Sequence, residues 1–304
     1  MTTTTPTQPT TPTGPSGTGA PAPRTKRRGT GIAGATNWPA TIVLLVCTLS
    51  VLIPLLVTVN MALKTGSQAV DGNAFSLPDP VSFQSFADAW ELTNFPRGFA
   101  VSAFVTILAV TGEIVISAMA AYAIVRNWDR RLFRWSFFYL LAAMFIPFPV
   151  VALPQVRLTG LVGLDNPLGV AILHIVFALA FNTMLFTAFM RSIPLELEES
   201  MRVDGATTWM VFWRLIFPLL RPMAATVGIF AFLLSWNDFM MPSLIISNPE
   251  LQTIPVLQNM FQTQFSNNYN VAFASYLMAM TPAIVVFLFT QRFVVSGLTQ
   301  GAVK

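Results

Sequence analysis

The sequence predicts an all-α polytopic membrane protein, and three observations carry the prediction. Only 10% of the 304 residues are charged while 54% are hydrophobic, against roughly a quarter charged in an ordinary soluble domain. Six runs, near 38–63, 99–125, 136–157, 169–190, 223–247 and 272–291, each supply the ~20 mostly apolar residues that a helix needs to cross the hydrocarbon core. Lys and Arg are distributed asymmetrically. With both termini inside, fourteen of the seventeen fall in inner segments and only Lys64, Arg97 and Arg157 fall outside, the bias that orients helices toward the cytoplasm.

Taken in order, residues 1–37 are rich in Thr, Pro and Gly and hold almost no large apolar side chain. They cannot offset the entropy of ordering, so a disordered cytoplasmic tail is expected, closed by the basic cluster RTKRR at 24–28. The first span is too long for the apolar core of a signal peptide and no small-residue cleavage site follows it, so a retained helix is expected. Its Cys47 is the one cysteine, which excludes an intrachain disulfide. The loop 65–98 carries Pro78, Pro80 and Pro96 and a short amphipathic stretch, SFQSFADAWE. Helix two holds Glu113, and a short basic segment from Arg126 to Trp135 leads into helix three. The loop LTGLVGLDNPLG joins helices three and four. A polar, Gln- and Asn-rich loop free of Lys and Arg joins five and six; a surface for a partner and a solvated connector are both open readings. No internal repeat is evident, which weakens a fold made of inverted halves.

Residues 192–222 form the sizeable inner loop. Ser192 can cap a helix whose first turns hold Pro194, Glu196, Glu198 and Glu199, the placement the helix dipole favours. Glu198 and Arg202 are four apart and can pair on its surface. Gly205 is placed to end the helix in the left-handed region. Thr207 or Thr208 can then cap a second helix through WMVFWRLIF, which Pro218 and Pro222 break before helix five. The expected product is a helix, a glycine turn and another helix on the cytoplasmic side.

This stretch, IPLELEESMRVDGATTWMVFWRLIFPLLRP, resembles the EAA loop of permease subunits of binding-protein-dependent ABC importers. Glu199 aligns with the motif glutamate and Gly205 with its glycine, Ser200 and Met201 replace two alanines, and Asp204-Gly205-Ala206 is intact. SWNDFMMPSLI at 235–245 and QRFVVSGLTQGAVK at 291–304 look like the corresponding parts of carbohydrate-uptake permeases, similar to the maltose-type second permease subunit. The resemblance implies a type I importer permease: a domain over 38–291 with its coupling loop at 192–222, and a C-terminal tail over 292–304. It implies that Glu198, Glu199, Ser200, Met201, Asp204, Gly205 and Ala206 couple to a cytoplasmic ABC ATPase dimer, with Gln300 and Gly301 reaching the same interface.

The chain has no G-x-x-x-x-G-K-[ST] phosphate cradle, so ATP and Mg are expected on the partner ATPase and no cofactor on this chain. Acidic groups at mid-bilayer are costly unless paired or wet, which singles out Glu113 and Asp238. Asn237 and Asp238, with Trp236 as a stacking face, Asn182 on helix four and Glu113 on helix two, are candidates for a translocation path; for Glu113 a pairing with the partner permease and a protonated place in the bundle are also open. A structural bond holding a kink near Pro242 is the competing reading of Asn237 and Asp238. Phe181 and Gln155 are weaker path candidates. His174, the single histidine, has no acid or thiol at metal spacing and reads as a helix-contact or pore-lining residue. No nucleophile and base can be assembled across the topology, so neither a catalytic residue nor a metal site is assigned, and no basic, aromatic-interleaved patch supports nucleic-acid binding.

The function implied is a non-enzymatic, multi-pass cell-membrane subunit, both termini cytoplasmic. It forms half of a pathway for a sugar, an oligosaccharide above all, with a second homologous permease and an extracytoplasmic solute-binding protein. The alternatives are an ion-coupled secondary transporter using Glu113 or Asp238, a permease for another polyol or glycerol-3-phosphate, and a membrane scaffold or receptor without a pathway.

Overall fold

The computed structural model describes residues 38–259, 261 and 268–302, with the backbone alone over 291–302. The expected tail at 1–37 lies outside these residues, as does part of the loop before the last span. The chain divides between Leu49 and Ser50 into two units. The first, as far as it is described, is the helical apolar stretch from Trp38 onward, part of α1 (Trp38–Ala62).

The second unit continues with α2 (Gly66–Asp71), α3 (Gln84–Leu92), α4 (Phe95–Arg126), α5 (Arg131–Ala143), α6 (Phe148–Leu161) and α7 (Pro167–Met190). After α8 (Glu196–Val203) and α9 (Thr208–Val211) a π-helical turn over Phe212–Ile216 leads into α10 (Phe217–Leu219). Then come α11 (Arg221–Trp236), α12 (Met240–Ile245), α13 (Ile254–Gln258) and α14 (Tyr269–Ala302). Among the described residues there is no strand. Among the same described residues, four helical stretches are long and apolar enough to cross a membrane: Trp38–Ala62, Phe95–Arg126, Pro167–Met190 and Tyr269–Thr290. The number rises to six if two bent pairs each count as one span.

The first of these bends and a separate break correct two sequence expectations. The run 136–157 is not one straight helix, because α5 and α6 meet at 103°. Pro147 is at the joint; it lacks an N–H and clashes with the preceding turn, so the chain re-enters the helix in a new direction. The run 223–247 breaks after Trp236. Asp238 Oδ1 accepts from Met240 N at 3.0 Å and Met241 N at 3.3 Å, which starts α12 as a separate helix. Upstream, α9–α10 and α11 meet at 74° at Leu220, between the two prolines expected to break the chain.

Packing is organised around α4, which lies along α7, with α11 against both. Gly112 makes the close approach possible: a Cβ there would stand 2.3 Å from Ile175 Cδ1. Small residues allow such contact where lipid provides no hydrophobic drive between helices. At one end of the bundle, Tyr122, Phe186, Met190, Val211, Phe212 and Ile216 form a core that joins α4 and α7 to the segment after α8. At the opposite end Val105, Val170, Leu173, Met241 and Ile245 pack together. There the amine of Lys64 is fully buried and donates to Asn73 O at 2.6 Å and Ser76 Oγ at 3.1 Å, stitching the end of α1 to the following loop.

Candidate functional site

The three packed helices enclose a cavity of about 620 Å³. Glu113 from α4 and His174, Phe177, Phe181 and Asn182 from α7 line it, facing Phe230, Ser235, Asn237 and Asp238 on and just after α11. Most of this wall is apolar, so a polar side chain there needs a partner. Glu113 Oε2 accepts from Asn182 Nδ2 at 2.9 Å, with both residues buried. His174 bridges two elements: Nε2 lies 2.9 Å from Asp238 Oδ2 and Nδ1 lies 3.1 Å from Ser235 Oγ. The Ser235 hydroxyl continues to Thr106 Oγ1 on α4 at 3.3 Å, so α4, α7 and α11 share one polar relay. Among the described residues no group of His, Cys, Asp and Glu could hold a metal ion.

The cavity therefore collects Glu113, Asn182, Asn237 and Asp238 from the path expected of the sequence. It does not collect Trp236. That indole is buried, donates from Nε1 to Ala279 O on α14 at 3.0 Å and stacks on Phe232. An i to i+1 step rotates a helical side chain by about 100°, so Trp236 turns away where Ser235 faces inward. Asp238 lines the cavity, where one oxygen meets His174, and starts α12 through the other. Gln155 is not among the lining residues.

At the end of the bundle carrying α8 the sequence places the turn correctly and some side chains incorrectly. Gly205 has φ +82° and Thr207 Oγ1 accepts from Met210 N at 3.3 Å, so the glycine stop and the second cap are as expected. Ser192 is not the first cap. Its hydroxyl bonds back to Phe189 O at 2.6 Å, and α8 begins only at Glu196. Short hydroxyl side chains readily take such a backbone carbonyl within the preceding turn.

Glu198 and Arg202 do pair, as expected, but the surface setting is corrected. Glu198 is fully buried: Oε1 accepts from Arg126 Nε at 2.6 Å and Oε2 from Tyr122 Oη at 2.9 Å, while Arg202 Nη2 stands 4.0 Å off. The resemblance-based set thus divides by direction. Glu199, Ser200, Asp204 and Gly205 are exposed, whereas Glu198 is buried and Met201 and Ala206 pack against the Tyr122–Phe212 core. Gln300 and Gly301 fall where only the backbone is described, so the contact expected of them lies outside the described side chains.

Tyr122, Arg126 and Ser235 went unread in the sequence. Tyr122 and Arg126 are one helical turn apart at the end of α4, a spacing that puts both on one face. Their partner stands more than seventy positions downstream of each, and no local pattern announces it.

Comparison with known proteins places this geometry. The family model for the binding-protein-dependent transport system inner membrane component matches residues 113–300. The chain is 33% identical over 258 residues to the multiple sugar-binding transport system permease protein MsmG of Streptococcus mutans, covering 84% of this chain and 92% of that one. It is 32% identical to the melibiose/raffinose/stachyose import permease protein MelC of Bacillus subtilis, over 75% of this chain and 83% of that one. A crystal structure of a bacterial ABC transporter involved in the import of the acidic polysaccharide alginate matches with a TM-score of 0.72 at 24% identity, over 84% of this chain and 95% of that chain. That last likeness is one of fold.

Proposed function

This chain belongs to the binding-protein-dependent transport system inner membrane component family, and on that premise we propose that it forms half of the pathway importing an uncharged oligosaccharide. It is a permease subunit and not an enzyme. A second homologous permease supplies the other half, an extracytoplasmic solute-binding protein delivers the cargo, and a cytoplasmic ABC ATPase dimer binds ATP and Mg and drives the cycle. Both termini then face the cytoplasm, and the domain runs over 38–291 with flanking tails.

The observation that carries the reading is the direction of α8. Its exposed row of Glu199, Ser200 and Asp204, ended by a left-handed Gly205, offers an acidic face to a basic cleft. Its inner side is packed on the core that holds α4 and α7. A motor that pulls on α8 therefore pulls on the helices that line the cavity. Glu113, Asn182, Asn237 and Asp238 supply hydrogen-bonding groups along that path, and Phe177 and Phe181 supply apolar faces of the kind that sugar rings accept.

The cargo class follows from the lining. Two acidic side chains and no Lys or Arg line this cavity, and its one histidine is already engaged by Asp238 and Ser235, so a phosphate or uronate would find no free cationic partner there. An uncharged sugar needs none, which favours an oligosaccharide over glycerol-3-phosphate. Named relatives import sugars, which supports the same choice, and family membership speaks against the ion-coupled alternative. Reconstitution of the complex with its binding protein tests the reading. Neutral oligosaccharides should stimulate ATP hydrolysis and enter the vesicles; stimulation by glycerol-3-phosphate or a uronate alone would reverse the cargo assignment.

A further inference from the structure

We infer that Glu198 is a positioning residue rather than a contact for the motor: with Arg126 and Tyr122 it latches α8 to the end of α4, so that displacement of α8 reaches the cavity wall directly. The inference rests on the proposed role of α8 as the coupling helix.

Glu198 is the buried acid in a helix whose other acids, Glu196 and Glu199, are exposed. Burying a carboxylate is unfavourable unless it is paired and hydrogen-bonded. Here both oxygens are engaged, at 2.6 Å to Arg126 Nε and 2.9 Å to Tyr122 Oη, and Arg126 Nη2 reaches Ile193 O at 3.4 Å on the segment leading into α8. The side chain is wholly enclosed by its own chain, which keeps a cation of another chain away from it. A buried ion pair gives little net stability over apolar packing of the same shape, and what it supplies is a fixed geometry between two elements.

The two elements matter because of what they join. Along the chain, α8 is continuous with α7 on one side and α9 on the other. Without the latch, a pull on α8 would reach α4 only through the apolar packing of Met201 on the shared core. The latch adds a directional, charged tie to α4, an unbroken helix from Phe95 to Arg126. Glu113 lies roughly 20 Å back along it at 1.5 Å per residue, bonded to Asn182 at the cavity. Between the two pairs, the buried hydroxyls of Ser117 on α4 and Thr183 and Thr187 on α7 have no hydrogen-bond partner among the described residues. Buried polar groups are nearly always satisfied, and a small shift of α4 against α7 gives these three an opportunity to be.

The test uses the whole transporter, with ATPase and binding protein, in vesicles, and reads sugar imported per ATP hydrolysed. In E198Q and R126M the ATPase subunit should still co-purify while the ratio falls about tenfold, and R126K, which keeps the charge, should lose less. E199Q is the contrast, because loss of a motor contact should reduce co-purification itself. A purely structural role would lower the melting temperature of the complex without moving the ratio. Should E198Q fail to assemble, Y122F removes a single hydroxyl and should lower the ratio about threefold. An unchanged ratio in assembled E198Q and R126M, or in Y122F, overturns the latch and leaves the parent reading standing. Loss of ATPase from E198Q equal to that from E199Q also overturns it, making Glu198 a motor contact. If no ATPase co-purifies with the wild type, the parent reading falls and the latch with it.

Discussion

Asn182 Nδ2 donates to Glu113 Oε2 at 2.9 Å, joining the two most closely packed helices, α7 and α4, at a point where both side chains are buried. The bond explains how an acid is tolerated deep in an apolar helix. It also means that removing one partner leaves the other stranded.

Asn182→Leu should therefore destabilise the complex by about 1–3 kcal/mol, the range for leaving a buried acceptor unsatisfied. Adding E113Q should restore part of the loss, since a neutral amide is less costly to leave unpaired. Thermal unfolding of wild type, both single variants and the double variant measures the coupling between the sites. Additive losses would show that the bond contributes nothing.

Gly205→Val should impose about 1–2 kcal/mol of backbone strain, because φ is +82° and an L-residue with a Cβ resists the left-handed region. No atom lies within 4 Å of where that Cβ would stand, so the effect is conformational and not a clash. Gly205→Asn should consequently be milder than Gly205→Val. Uptake and ATP hydrolysis measured together should separate in the valine variant. Normal coupled uptake there would remove the turn from the mechanism.

Asp238 does two jobs, so two substitutions should part company. D238N keeps a side-chain oxygen for the start of α12 but gives up the carboxylate facing His174. D238A loses both, and the lost cap alone should cost about 0.5–2 kcal/mol. The melting temperature should fall further in D238A than in D238N. Both should raise the sugar concentration needed for half-maximal uptake if the cavity is the path.

Lys64→Met should loosen the far end of the bundle. It deletes the buried ammonium's bonds to Asn73 O and Ser76 Oγ, two acceptors on exposed residues, a loss of about 0.5–1.5 kcal/mol. Limited proteolysis should cut the 72–82 loop faster in this variant while leaving the α8 region as resistant as wild type. Equal cutting rates would mean that the loop is held by other contacts.

Much of the fold and part of the site were legible in the residues, for a physical reason. Apolar length, charge asymmetry and glycine or threonine at a turn are local properties, so the four straight spans, the left-handed Gly205 and the Thr207 cap could be read directly. Direction was harder to read. Glu198 and Glu199 are adjacent and chemically alike, yet one is buried against Arg126 and the other is exposed, because a single residue step on a helix changes the facing side. Ser235 and Trp236 part in the same way, one toward His174 and the other toward Ala279.

By itself the sequence determined that this is a helical membrane subunit with an acidic, glycine-ended loop between apolar spans, since hydropathy and backbone preference act over a few residues. Only the tertiary structure decided which acids are paired, where α5 and α6 bend apart, and that Glu113, Asn182, His174 and Asp238 share one cavity. Those outcomes depend on partners distant along the chain, which α4, α7 and α11 bring together by packing.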